Sequence, residues 1–208
     1  MIFLRIVNTF HKTFVFNRRV LVLAKNICDI IPKNVRSVLD IGCGDGTISS
    51  LILKNKPNIL IKGLEVSERK RCLIDCKVFS GIEIPLKNSA VDLCILIDVL
   101  HHTVNIQELL KEAIRVSQRY IIIKDHIYSN YFDLAVLRFM DWIGNKPYGV
   151  NLPYNYQKKD SWLHIFQSNN VKITMWNDNL KLYPFPFSLL FGNKLHFITL
   201  LEKKDFLP

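Results

Sequence analysis

The chain has 208 residues, 49% of them hydrophobic and 22% charged, with a formal net charge of +10. That size and composition fit one domain burying roughly 70% of its unfolded surface, and the absence of repeats, low-complexity tracts and Gly/Ser linkers excludes a disordered or modular chain. No apolar run approaches the ~20 residues of a membrane span, and five cysteines, odd in number and without a Cys-x-x-Cys pair, read as reduced, mostly buried thiols of a cytoplasmic protein.

The N-terminal apolar stretch is broken by Arg5, His11 and Lys12 with no small-residue cleavage site, so no signal peptide is expected. Residues 1–36 carry seven basic side chains against Asp29 alone, a net of +6 and more than half of the total excess. That asymmetry offers a surface for an anionic partner such as nucleic acid, or simply a solvated helix face, since no dense Lys/Arg run occurs. Val20, Leu21, Leu23, Ala24, Ile27, Ile30 and Ile31 follow helical spacing, and Pro32 ends the helix. Residues 1–34 are read as an N-terminal helical cap.

A strand over 37–41 then runs into Gly42-Cys43-Gly44-Asp45-Gly46, followed by a helix from Thr47 to about Lys54. Three glycines in five residues give a backbone that turns with positive φ and lets a ligand approach where no Cβ intervenes. Dinucleotide folds use Gly-x-Gly-x-x-Gly, whereas these glycines sit at 42, 44 and 46. The run Asp40-x-Gly42-x-Gly44-x-Gly46 resembles motif I of the class I S-adenosylmethionine (SAM) methyltransferases. The resemblance implies that Asp40, Gly42, Cys43 and Gly44 pack against the cofactor. Glu65, with Val66 beside it, ends the next strand (59–64), where a carboxylate can accept from both ribose hydroxyls. Dinucleotide folds use the same device, so Glu65 alone does not discriminate.

A short helix is expected over about 67–76. It would place Cys72 and Cys76 on one face, with no third ligand nearby to complete a zinc site, so no metal is expected. Ile84-Pro85-Leu86, Val91-Asp92-Leu93 and Asp98-Val99-Leu100-His101-His102 resemble the run after the third strand of small-molecule members of that family. By the resemblance, Asp98 and Val99 line the methionine end. The position that meets the adenine amine is Ser80, before Gly81, a departure because a hydroxyl is a weaker acceptor than a carboxylate. A strand over 91–97, a helix over 106–117 and a strand over 120–125 follow, the last running into Asp125 and His126.

Residues 127–158 read as an insertion covering the acceptor: a helix from Leu134 to Ile143, then a loop of turn formers and aromatics including Tyr154 and Tyr156. A helix from about Asp160 to Gln167 precedes strands at 171–176 and 195–202, joined by a long connection containing Pro184-Phe-Pro-Phe187. Apolar strands alternating with helices mean a parallel sheet covered on both faces. The resulting expectation is an α/β Rossmann-like fold, a seven-stranded mostly parallel sheet with an antiparallel last strand, in one domain spanning 1–208.

Methyl transfer from a sulfonium needs alignment, exclusion of water and, for a protic acceptor, a base. Histidine suits that base. His102 and His126 are the candidates, with Asp125 as orienter, and each could equally serve as a structural hydrogen-bonding group. His102, Tyr154 and Tyr156 are expected to wall the substrate pocket. Asp98-Val-Leu-His lacks the Asn/Asp-Pro-Pro-Tyr/Phe of amino methylases of nucleic acids. Cys94, inside a strand, is no nucleophile, and residues 99–107 hold no glutamate pair of the protein-arginine type. The expected activity is SAM-dependent methylation of a small, partly apolar acceptor, releasing S-adenosylhomocysteine. A tRNA or rRNA methylase using the basic N-terminal region, and a catalytically silent SAM-binding partner subunit, stay open as alternatives. Nothing in the residues fixes an oligomeric state.

Overall fold

A computed structural model describes residues 17–145, 152–185, 187–191 and 194–206. Seven strands form one sheet: β1 Ser37–Ile41, β2 Leu60–Glu65, β3 Asp75–Val78, β4 Val91–Ile97, β5 Ser117–His126, β6 Val171–Asn177 and β7 His196–Lys203. Their order across the sheet is β3-β2-β1-β4-β5-β7-β6, with β7 antiparallel to both neighbours and the remaining pairs parallel. The helices are α1 Asn17–Ile30, α2 Thr47–Asn55, α3 Ile106–Val116, α4 Tyr131–Asn145, α5 Lys159–Ser168 and α6 Phe187–Phe191. This is the expected Rossmann-like architecture.

Alternation along the central strands divides the core in two. Leu93, Ile95 and Ile122 face Leu23, Ala24 and Ile27 of α1 and Ile52 of α2. Cys94, Leu96, Ile121 and Ile123 face Leu109, Leu110 and Ala113 of α3 and Trp162 and Phe166 of α5. With both faces covered, β4 and β5 must be apolar throughout, which is why they read as unbroken runs. Asn105 caps α3, its side chain accepting from the Gln107 N–H. Strand order reverses at β1, flanked by β2 and β4, so the loops leaving these strands open a crevice at their carboxyl ends.

One element differs from expectation. Residues 67–74 form bends rather than a helix, and 75–78 add the edge strand β3. Its pairing sets Gly63 opposite Cys76 and Glu65 opposite Val78. A helix there would leave the outer edge of β2 without backbone partners, a larger loss than the helical preference of a short charged segment gains. A second helical turn, Phe187–Phe191, interrupts the connection between β6 and β7 that the sequence leaves irregular.

Candidate active site

The glycine loop is fastened to the end of β2. The N–H groups of Gly42 and Cys43 both donate to the Leu64 carbonyl, at 2.8 and 3.0 Å. Gly42 has φ +74°, and a Cβ there would come within 2.5 Å of Val99 Cγ2. Glycine is therefore required where the β1 and β4 loops touch. Gly44 differs: its φ is +59°, and a Cβ would meet nothing within 4 Å. The bare side of Gly44 faces open space, which fits a ligand laid against the backbone. Gly44→Ala is accordingly expected to cost only about 1–2 kcal/mol of stability, for a left-handed alanine, while abolishing SAM binding. Thermal unfolding and calorimetry separate the two effects, and unaltered SAM affinity would show that no ligand uses that face.

Glu65 is 5% exposed. Its Oε2 accepts from the Gly44 N–H at 2.8 Å and its Oε1 from the Val66 N–H at 2.9 Å. Arg69 lies 3.5 Å from Oε1. The carboxylate thus braces the loop at the rim where the ribose is expected. Asp40 is buried beneath: Ser49 Oγ donates to its Oδ2 at 2.5 Å, while Oδ1 has no partner among the described residues. Burial pushes the Asp40 carboxyl up to about 7. An open glycine beside a braced carboxylate fits the ribose of a SAM molecule. Ser80 is exposed, and its Oγ accepts from the Ile82 and Glu83 N–H groups, closing the turn that contains Gly81 at φ +85°.

At the ends of β4 and β5 lies an ionic cluster that sequence reasoning names only in part. Asp98, at φ +56°, is gripped by Arg19 of α1 and by the fully buried Lys124 of β5. These cations hold its carboxyl well below the usual range against the opposing effect of burial. Burial pulls the Lys124 ammonium down, with Asp98 opposing. Asp125 meets His101 Nδ1 at 2.6 Å and His126 Nδ1 at 3.4 Å, so its main partner is His101 rather than the expected His126. His102 Nε2 stands 3.6 Å from Asp141, with its Nδ1 buried and unpaired among the described residues. Tyr156 is buried and stacks on His101 at 5.1 Å between centroids, while Tyr154 is half-buried at φ +54°. In the sequence Arg19 is a helix-face cation, while His101, Lys124, Asp141 and His196 stand in four separate segments with nothing to show that they converge. Cys94 is buried as expected, and burial raises its thiol far above the ordinary value.

Burial drives His126 and His196 well below the ordinary imidazole value, aided by Lys124, and lowers His102 too. His101 is raised, because Asp125 outweighs its desolvation. The lowered histidines stay neutral in the folded state while the unfolded chain protonates below about pH 6.5, so stability falls as pH drops through that value. His101 works oppositely: its contribution is complete below 6.5 and is lost as pH rises through its folded value. Asp98 and Asp125, both lowered, contribute above about 3.9 and lose it on further acidification. His126, His196 and His102 thus lower stability as pH falls from 7 to 5, while His101 and Asp40, both raised, oppose them. His196→Gln removes one of the lowered groups, so its melting temperature drops less, or rises more, over that window than that of the unmodified chain. An identical pH dependence in the variant would contradict the assignment.

Over 86 residues, 38% of its length, the chain is 33% identical to an uncharacterized methyltransferase of Schizosaccharomyces pombe, and the match spans about a third (34%) of that protein. Among solved structures, a SAM-dependent methyltransferase of Thermotoga maritima superposes with TM-score 0.63 at 19% identity, over 96% of this chain and 97% of that one. A chain of the complex between the Trm112 methyltransferase activator and a methyltransferase from Haloferax volcanii gives TM-score 0.64 at 12% identity, over 88% and 89%. These likenesses identify the fold as that of the Rossmann-like methyltransferases. The sequence itself matches, over residues 24–182, the family described as methionine biosynthesis protein MetW, and the chain belongs to that family.

Proposed function

We propose that the chain binds SAM along Gly42–Gly44, with Glu65 at the ribose, and catalyses transfer of its methyl group to a small, partly apolar acceptor. The observation that carries this reading is the open face of Gly44 next to the buried carboxylate of Glu65. SAM supplies an activated methyl group, so the chain's own residues have three tasks. Gly42 and Val99 set the spacing between the β1 and β4 loops. Asp98, fixed by Arg19 and Lys124, is held immobile at the methionine end. His126, kept neutral at physiological pH by burial and Lys124, presents an unprotonated imidazole to a hydroxyl or amine. Asp125 and Asp98, 3.4 and 3.5 Å from its Nδ1, offset the charge it gains on taking the proton. Tyr154, Tyr156 and His102 close the acceptor side and keep water out.

His126→Ala is expected to lower kcat by about 10²–10⁴-fold while SAM affinity changes little, read by a methyl-transfer assay alongside calorimetry. Losses of activity and melting temperature in equal proportion would make His126 a structural residue instead. A small acceptor is favoured over tRNA or rRNA because Arg19, one of the basic residues of α1, turns inward onto Asp98. Arg5 and Lys12 lie outside the described residues. Steep, salt-dependent retention on heparin would instead favour RNA. No described helix is long and apolar enough to cross a membrane, and all five cysteines are free, in keeping with a cytoplasmic setting.

A further inference from the structure

Three cysteines that lie far apart in sequence converge behind the glycine loop. Cys43 comes from the loop itself, Cys72 from the bend before β3, and Cys76 from β3. Their sulfurs all lie within 4.8 Å of one another, with Cys43 and Cys76 at 3.3 Å. A tetrahedral zinc with Zn–S bonds of about 2.3 Å sets its sulfurs about 3.8 Å apart, so small rotations of these side chains reach that geometry. The helix expected over 67–76 would have kept Cys43 away from the pair. The edge strand brings it in.

Backbone bonds hold the three segments in place. Cys43 N–H donates to Leu64, Cys76 is in register with Gly63, and the Leu73 N–H donates to the Asp45 carbonyl at 2.9 Å. Glycines leave room for the sulfurs: a Cβ at Gly63 would sit 2.5 Å from Cys43 Sγ, and one at Gly46 would sit 3.1 Å from Cys72 Sγ. All three thiols are only half-buried, so a cation and a fourth ligand from solvent have access.

We propose that Cys43, Cys72 and Cys76 form a binding site for one thiophilic divalent cation of the zinc and cadmium type, completed by a solvent or exogenous ligand. Binding displaces the thiol protons onto buffer, forms three metal–sulfur bonds and changes no oxidation state. Soft thiolates select such metals over magnesium or calcium. Cys43 belongs to the loop on which the proposed function places SAM, but the metal site itself rests on the three sulfurs alone.

The test is titration of the fully reduced chain with cadmium, reading thiolate-to-metal charge-transfer absorption, with zinc competing against a chromophoric chelator. The expected result is one equivalent per chain, absorption intensity of three thiolates, and affinity unaffected by excess magnesium. Cys72→Ser and Cys76→Ser each lower affinity at least tenfold and remove one thiolate's intensity, whereas Cys28→Ser changes neither. Circular dichroism confirms that each variant is folded, and Cys72→Ala replaces any that is not. Absence of stoichiometric binding overturns the proposal, as does equal binding by Cys72→Ser and Cys76→Ser. Isolation of a Cys43–Cys76 disulfide from chain whose reduced form takes no cation overturns it too. None of these readouts requires methyl transfer, so failure here leaves the proposed activity untouched.

Discussion

Replacing Asp98 by alanine lowers the free energy of unfolding by about 3–5 kcal/mol, the cost of stranding a buried charge. The magnitude comes from Lys124, which is wholly inaccessible and has no other carboxylate bonded to its ammonium among the described residues; its remaining neighbour is His196 Nδ1 at 3.3 Å. Arg19 retains 22% side-chain exposure, so it can turn toward water and contributes less. Removing the cation as well tests the explanation. The double variant Asp98→Ala/Lys124→Met recovers a large part of the loss, because replacing both members of a buried pair with apolar groups is far milder than removing one. Urea denaturation measures each. A loss under about 1 kcal/mol in the single variant would mean that Lys124 finds water or sheds its proton without cost.

Glu65→Ala weakens SAM and S-adenosylhomocysteine binding by about 1.5–3 kcal/mol, the range for hydrogen bonds to a charged acceptor. Two effects combine. The ribose loses its acceptor, and the Gly44 and Val66 N–H groups lose the oxygens that hold them at 2.8 and 2.9 Å, so the loop must be ordered by the ligand itself. Glu65→Gln keeps one carbonyl oxygen and falls between alanine and wild type. Calorimetry reads all three, and equal affinities would remove Glu65 from the site.

The parts of this fold legible in the sequence are those where local pattern and tertiary environment agree. β1, β4 and β5 are apolar because both faces are covered, and α1, α3 and α5 carry a single buried stripe. The glycine loop was readable because backbone shape restricts residue type there. β3 was missed because an edge strand of four residues is half-solvated and carries no alternation strong enough to outweigh a charged, helix-like segment. The ionic cluster was missed for a different reason. Arg19 and Asp98 are 79 residues apart, and Lys124 follows a run of three isoleucines, so only strand pairing shows that Arg19 and Lys124 share a carboxylate. The same holds for Cys43 and Cys76, separated by 33 residues yet in contact across Gly63. Long-range pairs of this kind leave no periodic trace.

The proposed methyl transfer requires a sulfonium nucleoside to lie on the bare backbone at Gly44. A crystal structure of the chain with S-adenosylhomocysteine tests that most directly. The expected result is the ligand against Gly42–Gly44 with both ribose hydroxyls on the Glu65 carboxylate and its sulfur directed toward Asp98 and His126. A ligand bound elsewhere, or a Glu65 that contacts only Gly44, Val66 and Arg69 in the complex, would contradict it.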